Sequence, residues 1–266
     1  PVVNLLPLDE GESISSILPV EEYSADKYVI MATANGTVKK TSLEQYSRPR
    51  SVGLRAVDLV EGDHLVGTAI IDDHSDIMLL SSEGKAVRFA STDARAMGRV
   101  SKGVRGMRLP EEHKVISMVV PEEDGFLLTV CQNGYGKRTK VTEFPTKGRG
   151  GKGMIAIQAS ERNGPLVGST QLFAGDEIML ISDQGTMVRT RGDEVSVVGR
   201  NTQGVRIIRL KDGENLVRLA RIAEPDEEEA FEEGDVVEAD ANVEAALDIE
   251  AAAPKEEASD KDSAED

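Results

Sequence analysis

The stretch Asn133–Met154, NGYGKRTKVTEFPTKGRGGKGM, decides how the rest of the chain is read. It opens on a tight-turn dipeptide and closes in a glycine-rich loop. Between them lie six bases (Lys137, Arg138, Lys140, Lys147, Arg149, Lys152) against one acid, Glu143. The same plan occurs four times. The first turns are Asn35-Gly36, Glu83-Gly84, Asn133-Gly134 and Gln184-Gly185, with glycines 48, 50 and 51 residues apart. A second glycine (Gly53, Gly103, Gly153, Gly204) follows 17, 19, 19 and 19 residues later, and a cation (Lys40, Arg88, Arg138, Arg189) sits four residues past each first glycine. Agreement at three registers identifies an internal repeat.

Each copy predicts four strands. The first is a short apolar run before the turn: Val29–Met31, Ile77–Leu80, Phe126–Leu128 and Ile178–Ile181. Unbroken apolar runs of this length suit strands buried on both faces. The X-Gly pair then makes a hairpin, because glycine takes positive φ without a Cβ clash. The second strand carries the cations. After a polar loop come a third strand (Leu54–Leu59, Val104–Leu109, Met154–Ala159, Val205–Leu210) and a fourth (Leu65–Ile71, Val115–Val120, Leu166–Leu172, Leu216–Ile222). No segment up to Ala223 has a long 3.6-residue apolar period. Four-stranded units near a fifty-residue period predict an all-β, propeller-like disc of blades, since one such sheet cannot bury both faces alone.

The flanks differ from the repeats. Residues 1–20 resemble the second half of an incomplete blade, with Val2–Leu5 as its third strand and Ile14–Leu18 as its fourth. With no initiating Met, the chain reads as an N-terminally truncated fragment. Residues 21–223 hold four blades. Residues 224–266 carry 19 acids and two lysines, a net charge of −17 that equals the charge of the whole chain. The remaining residues hold 29 acids and 29 bases, so the repeat region is neutral. The tail is poor in aromatics and is expected to be a disordered acidic extension.

Neutrality hides a segregation of charge. Lys85–Arg108 has seven bases and one acid, Lys39–Arg55 five and one, and Arg189–Arg209 five and two. The other half of each unit is acidic, as in Asp58–Asp76 and Glu111–Asp124. Stacked about an axis, the basic halves would join into a stripe suited to a phosphate backbone. The competing reading is a solvated surface of salt bridges.

Other chemistries find little support. Gly148-Arg149-Gly150-Gly151-Lys152-Gly153 formally satisfies G-x-G-x-x-G, but a dinucleotide site needs a helix after it, and Met154–Ile157 predicts a strand. A Walker loop would need Ser or Thr where Gly153 stands. The loop is either a flexible surface turn or a backbone–phosphate clamp, and N–H groups beside two cations favour the clamp. His64, His74 and His113 share no ligand spacing. Cys131 ends an apolar run and suits a small core residue. Aromatics are 3% of the chain and Trp is absent, so stacking on single-stranded bases is poorly supported. The missing Trp also excludes WD repeats, and Gly150-Gly151 does not recur as kelch repeats require. No run approaches the roughly 20 apolar residues of a membrane helix, and no signal-peptide pattern is present, which favours a cytoplasmic setting.

The segments ATANGTVKKT (32–41), RAMGRVSKGVRGMRL (95–109), QNGYGKRT (132–139) and VVGRNTQGV (197–205) closely resemble the C-terminal domain of the DNA gyrase A subunit, and the resemblance covers residues 1–223. It implies a β-pinwheel of six blades that exchange strands with their neighbours, of which this chain holds blades three to six and half of blade two. The family's Gln-Arg-Arg-Gly-Gly-Lys-Gly box lies in a first blade absent here. Lys147–Gly153 matches it at five of seven positions, with Gly148, Gly150, Gly151 and Gly153 as a degenerate box-like loop in a later blade.

The resemblance implies wrapping of duplex DNA for an ATP-dependent type II topoisomerase. It places no catalytic residue, metal or cofactor in this chain: ATP and Mg2+ serve parts outside it. The partners it implies are duplex DNA, the rest of the gyrase A subunit, and the gyrase B subunit in an A2B2 complex. The expected phosphate contacts, made without reading sequence, are Lys39, Lys40, Arg48, Arg50 and Arg55 in the first unit and Lys85, Arg88, Arg95, Arg99, Lys102 and Arg105 in the second. The third supplies Lys137, Arg138, Lys147, Arg149 and Lys152, and the fourth Arg189, Arg191, Arg200 and Arg206. The acidic tail is expected to compete with DNA for this stripe. The equivalent domain of topoisomerase IV, or a propeller-like scaffold for an acidic protein, are the alternatives.

Overall fold

The computed structural model describes residues 12–50 and 52–223. The acidic tail and the expected strand Val2–Leu5 lie outside them. The described residues form fifteen strands: β1 Tyr28–Thr33, β2 Thr37–Ser42, β3 Leu65–Ile71, β4 Asp76–Ser81, β5 Lys85–Ala90, β6 Val104–Arg105, β7 Val115–Val119, β8 Phe126–Cys131, β9 Tyr135–Lys140, β10 Met154–Ile155, β11 Leu166–Leu172, β12 Glu177–Ser182, β13 Met187–Arg191, β14 Val205–Arg206 and β15 Leu216–Ile222. Short 3-10 turns follow the second strand of each unit, at Leu43–Tyr46, Ser91–Asp93, Val141–Glu143 and Gly192–Glu194.

The strands form four antiparallel sheets, ordered β3-β1-β2-β6, β10-β5-β4-β7, β11-β8-β9-β14 and β13-β12-β15. Each of the first three sheets takes the fourth, first and second strands of its own unit and the third strand of the next. The exchange is anchored at the hairpin turn. Gly36 O accepts the amides of Gly106 (2.8 Å) and Met107 (3.1 Å), Gly84 O those of Ala156 (2.9 Å) and Ile157 (3.1 Å), and Gly134 O those of Ile207 (2.9 Å) and Ile208 (3.2 Å). The recurrent first glycine is thus required twice. Gly134 has φ +80°, and a Cβ there would lie 2.6 Å from Ile208 O.

The exchanged strands are shorter than the sequence predicts, because they leave the ladder to bend around that turn. Leu54–Leu59 forms no strand, since among the described residues no earlier sheet offers it a second strand. Ile14–Leu18 also forms no ladder. It lies beside β3, where Thr68 Oγ1 donates to Ser16 Oγ at 2.7 Å.

The two-faced burial expected of the first strands is present in β1, β4 and β8, whereas β12 is buried at alternate residues only. Along β4, Ile77 and Leu79 enter a core with Ile30, Ala32 and Val38 of the first sheet, while Met78 and Leu80 enter a second core with Leu127 and Cys131 of the third. Along β8, Leu128 and Val130 continue into a third core with Ile178 and Leu180. Alternation along one strand therefore cements three sheets. The fourth strands of successive sheets pack on one another, with Gly67 against Met118, Gly168 against Leu219, and Ser169 N donating to Ser117 Oγ at 3.0 Å. Fourth strands consequently lie innermost and exchanged strands at the rim, giving a four-bladed propeller-like arrangement. The outer face of the first sheet is covered by Leu18, Val20, Ala56 and Val57 packing near Val29, Met31 and Leu43. Cys131 is fully buried, and burial pushes its thiol up to about 12.

Candidate nucleic-acid interface

The basic loops sit on the rim because of the exchange. Each leaves the 3-10 turn of its own unit, touches the second strand of the preceding unit, bulges over one residue, and rejoins that strand two residues nearer its start. Met97 N donates to Lys40 O at 2.8 Å and Val104 pairs with Val38, so residues 97–103 pass over the single residue Lys39. Lys147 N donates to Arg88 O at 2.8 Å and Met154 pairs with Ala86, so residues 148–153 pass over Val87. Val198 N donates to Arg138 O at 2.9 Å and Val205 pairs with Gly136, so residues 199–204 pass over Lys137.

Successive bulges are linked. Asp58 N donates to Ser101 O at 3.4 Å, Gly150 N to Gly106 O at 2.6 Å, Arg108 N to Gly151 O at 2.8 Å, and Gln158 N to Thr202 O at 3.0 Å. Arg149 spans two units, with Nε on Asp93 O (2.9 Å) and Nη1 on Arg105 O (2.8 Å), and Arg200 Nη1 reaches Ile155 O at 3.0 Å. The third segments and bulges therefore make one continuous band. It brings together Arg55, Arg99, Lys102, Arg105, Lys147, Arg149, Lys152, Arg200 and Arg206. Asp58, Asp93 and Glu143 interrupt it, and Glu143 Oε2 already accepts Arg200 N at 3.0 Å. Beside the box-like loop a shallow cleft of about 230 Å³ is lined by Arg88, Lys147, Gly148, Gly151, Lys152 and Gly153. The amides of Gly151, Lys152 and Gly153 have no acceptor among the described residues.

Five of the expected phosphate contacts are buried and face inward instead: Lys39, Lys40, Arg88, Lys137 and Arg138. In the first three units the cation four residues past the first glycine is a clasp between blades. Arg138 Nε donates to Val195 O (2.9 Å), Nη1 to Asp193 Oδ1 (2.7 Å) and Nη2 to Asp193 O (3.0 Å), all in the next unit. Arg88 donates to Asp76, to Glu123 and to Phe144 O (3.1 Å). Lys40 pairs with Asp73 and lies 4.1 Å from the Tyr28 ring centroid at its own sheet, and reaches the next unit through Ser91 O at 3.5 Å. Burial of this cation in the first three units, and its exposure as Arg189 in the fourth, follow the presence of the joint.

Lys39 and Lys137, one residue earlier, point beneath the bulges. Burial pulls both ammonium groups down to about 8; Arg99 adds to the effect at Lys39, whereas at Lys137 Glu143 opposes it and Arg200 reinforces it.

The remaining expected contacts stay accessible. Arg48, Arg50, Arg55, Arg95, Lys102, Arg105, Lys147, Lys152, Arg189, Arg191 and Arg206 are exposed, while Lys85, Arg99, Arg149 and Arg200 are half-buried. Lys85 pairs with Glu83 at 2.6 Å, and Arg189 is bound to Glu177 within its own sheet. Arg162 was not among the expected contacts. Its guanidinium lies 4.4 Å from the Tyr135 ring centroid, with Arg206 at 5.2 Å from the same ring and bonded to the Tyr135 hydroxyl at 2.6 Å. Arg162 belongs to the acidic half of its unit, and only the docking of its turn, through Asn163 Nδ2 on Gln203 O at 2.7 Å, brings it to the band. Lys140 and Arg108 are further exposed cations. Among the described residues no cluster of His, Cys, Asp or Glu could hold a metal, and no helix is long and apolar enough to cross a membrane.

Known proteins share this arrangement. A solved structure of a DNA gyrase A C-terminal domain superimposes with a TM-score of 0.73 and 26% identity, over 84% of this chain and 74% of the other. A C-terminal domain of DNA topoisomerase IV superimposes with a TM-score of 0.80 over 88% and 75%, at 22% identity, a likeness of fold. The DNA gyrase A subunits of Salmonella typhimurium LT2 and Escherichia coli K12 are each 52% identical over 242 residues, covering 90% of this chain and 28% of their own length. The chain thus spans a little over a quarter of those relatives. Residues 27–72, 75–122, 125–168 and 176–223, the four units found above, each match the family described as DNA gyrase C-terminal domain, beta-propeller, and the chain belongs to that family.

Proposed function

We propose that this chain is the DNA-wrapping part of the A subunit of DNA gyrase, an ATP-dependent type II topoisomerase that introduces negative supercoils. The observation that carries the proposal is the continuous basic band on the rim. Bending 20–30 bp of duplex by 40–90° costs on the order of 1–6 kcal/mol. The few phosphate contacts of one bulge barely offset that cost, whereas bulges joined in series offset it along the whole arc. Contacts come from Arg99, Lys102, Arg105, Lys147, Arg149, Lys152, Arg200 and Arg206, with Arg48, Arg50, Arg55, Arg95, Lys85, Arg189 and Arg191 beside them. They meet phosphates and read no sequence.

Strand cleavage, ATP and Mg2+ belong to parts of the enzyme outside this chain, which itself needs no cofactor. Its partners are duplex DNA, the rest of the gyrase A subunit, and the gyrase B subunit in an A2B2 assembly in the cytoplasm. The 52% identity to gyrase A subunits favours this over the topoisomerase IV reading.

The test is affinity for a duplex of ~100 bp or more against a short one, across a salt series, on the chain with and without residues 224–266. Wrapping predicts weak binding to the short duplex and a log K that falls with log salt by about 0.9 per phosphate neutralised. Competition by the acidic tail predicts tighter binding at low salt once it is removed. Equal affinity for both lengths, or a shallow salt slope, would refute wrapping.

A further inference from the structure

The rim bulges are of two kinds. Beneath residues 97–103 lies Lys39 and beneath 199–204 lies Lys137, each at most 1% exposed. Beneath 148–153 the same position is Val87, and in the fourth unit it is Val188. Valine fills the place in half of the units, so packing alone does not account for lysine.

The bulge changes with the residue below it. Above the lysines it reads Gly98-Arg99-Val100-Ser101 and Gly199-Arg200-Asn201-Thr202. A hydroxyl closes each turn, Ser101 Oγ on Gly98 O at 2.8 Å and Thr202 Oγ1 on Gly199 O at 3.0 Å. Lys137 Nζ donates to Gly199 O (2.7 Å), to Arg200 O and to Thr202 Oγ1 (3.1 Å). Lys39 Nζ donates to Arg99 O and Ala56 O. Above Val87 the bulge reads Gly148-Arg149-Gly150-Gly151, with no hydroxyl to close the turn and no ammonium beneath it.

A trans peptide points its C=O and N–H in opposite directions. With the carbonyls of Arg99 and Arg200 drawn in by ammonium groups, the amides of Val100 and Asn201 face out, and neither has an acceptor among the described residues. At the matching place over Val87 the amide is turned in, and Gly150 N donates to Gly106 O at 2.6 Å. A buried ammonium needs such acceptors, so the lysine selects the peptide orientation.

We propose that Lys39 and Lys137 are positioning residues for DNA, holding the Val100 and Asn201 amides outward beside Arg99 and Arg200 as preformed phosphate donors. The proposal rests on the DNA-binding reading above. The bulge over Val87 meets the backbone through its lysines and its Gly151–Gly153 amides instead.

The test compares the chain with K39M/K137M, and with K137M alone so that residues 97–103 serve as an internal reference for folding. Two readouts are taken. The first is trypsin cleavage after Arg99 and Arg200 relative to Arg149, without DNA. The second is affinity for a ~100 bp duplex across a salt series, with R200A as a phosphate-contact control. The expected result is faster cleavage at Arg99 and Arg200 in the double variant, and at Arg200 only in K137M. Affinity falls about tenfold in the double variant, the scale of a lost charge-assisted hydrogen bond. The salt slope is retained, because the buried lysines neutralise no phosphate, whereas R200A lowers it by about 0.9.

Unchanged cleavage, unchanged affinity, or a slope that drops as in R200A would each overturn the proposal. If the unaltered chain fails to bind duplex, the DNA reading falls with it, and the trypsin pattern still decides whether the lysines order the bulges.

Discussion

The hairpins at Gly134 and Gly185 have nearly the same sequence plan and different surroundings. At Gly134 the turn receives two amides from the next unit, and Arg138 below it is buried against Asp193 and Val195. At Gly185 φ is again positive, +83°, but nothing lies within 4 Å of where a Cβ would be, and Arg189 is exposed and held by Glu177. The third sheet has four strands and the last has three. The repeat therefore encodes a joint as well as a blade: half of each joint is carried by one unit and half by the next.

Substitutions at paired positions break this symmetry. The largest difference is expected at the glycines. Gly134→Ala forces alanine into the left-handed region, about 1–2 kcal/mol, and drives a methyl into Ile208 O, about 1–3 kcal/mol more. Gly185→Ala carries only the first cost. Urea unfolding of the two variants should separate them, and equal losses would mean that the exchanged strand contributes no constraint at that turn. Next come the cations. Arg138→Ala removes several charge-assisted hydrogen bonds across a joint and is expected to cost about 2–3 kcal/mol, whereas the exposed pair lost in Arg189→Ala costs less than about 1 kcal/mol. Comparable Tm shifts for the two would contradict the clasp.

The smallest effect concerns the buried lysines. With the folded values of Lys39 and Lys137 pulled down to about 8, the unfolded chain binds more protons between that pH and the ordinary lysine range. Stability contributed by these groups therefore rises with pH across that window, by about 1 kcal/mol per pH unit for each lysine. The facing titratable groups are Arg99 at Lys39, and Glu143, Arg200 and the Cys131 thiol at Lys137. Denaturation from pH 7 upward should show the chain gaining on K39M/K137M, and a gap that narrows with pH would reverse the assignment.

Much of this arrangement was legible in the residues. The strands of the first, second and fourth kind fall where apolar runs and X-Gly turns predict them, and β3, β11 and β15 match residue for residue. Segregation of charge located the rim loops. The sheet each third strand joins was not legible from periodicity, because an alternating segment looks the same whether it pairs at home or next door; there only the family resemblance implied exchange. Leu54–Leu59 has a strand's pattern and no partner. Burial of three of the four recurrent cations, Lys40, Arg88 and Arg138, was not legible for a similar reason. An arginine at a fixed register is equally consistent with a ligand on the outside and with a clasp on the inside. Asp193 lies 55 residues from Arg138, and Gly199 lies 62 residues from Lys137.

The sequence by itself determined the period, the hairpins, the two-faced burial of the central strands and the neutrality of the repeats, because these follow from φ preferences and from the spacing of apolar and charged side chains along a single segment. Tertiary structure alone decided which cations are buried, that the bulges join into one band, and which way their amides point. Those outcomes depend on carbonyls delivered by the following unit, and a buried ammonium or guanidinium takes the orientation in which such acceptors satisfy it.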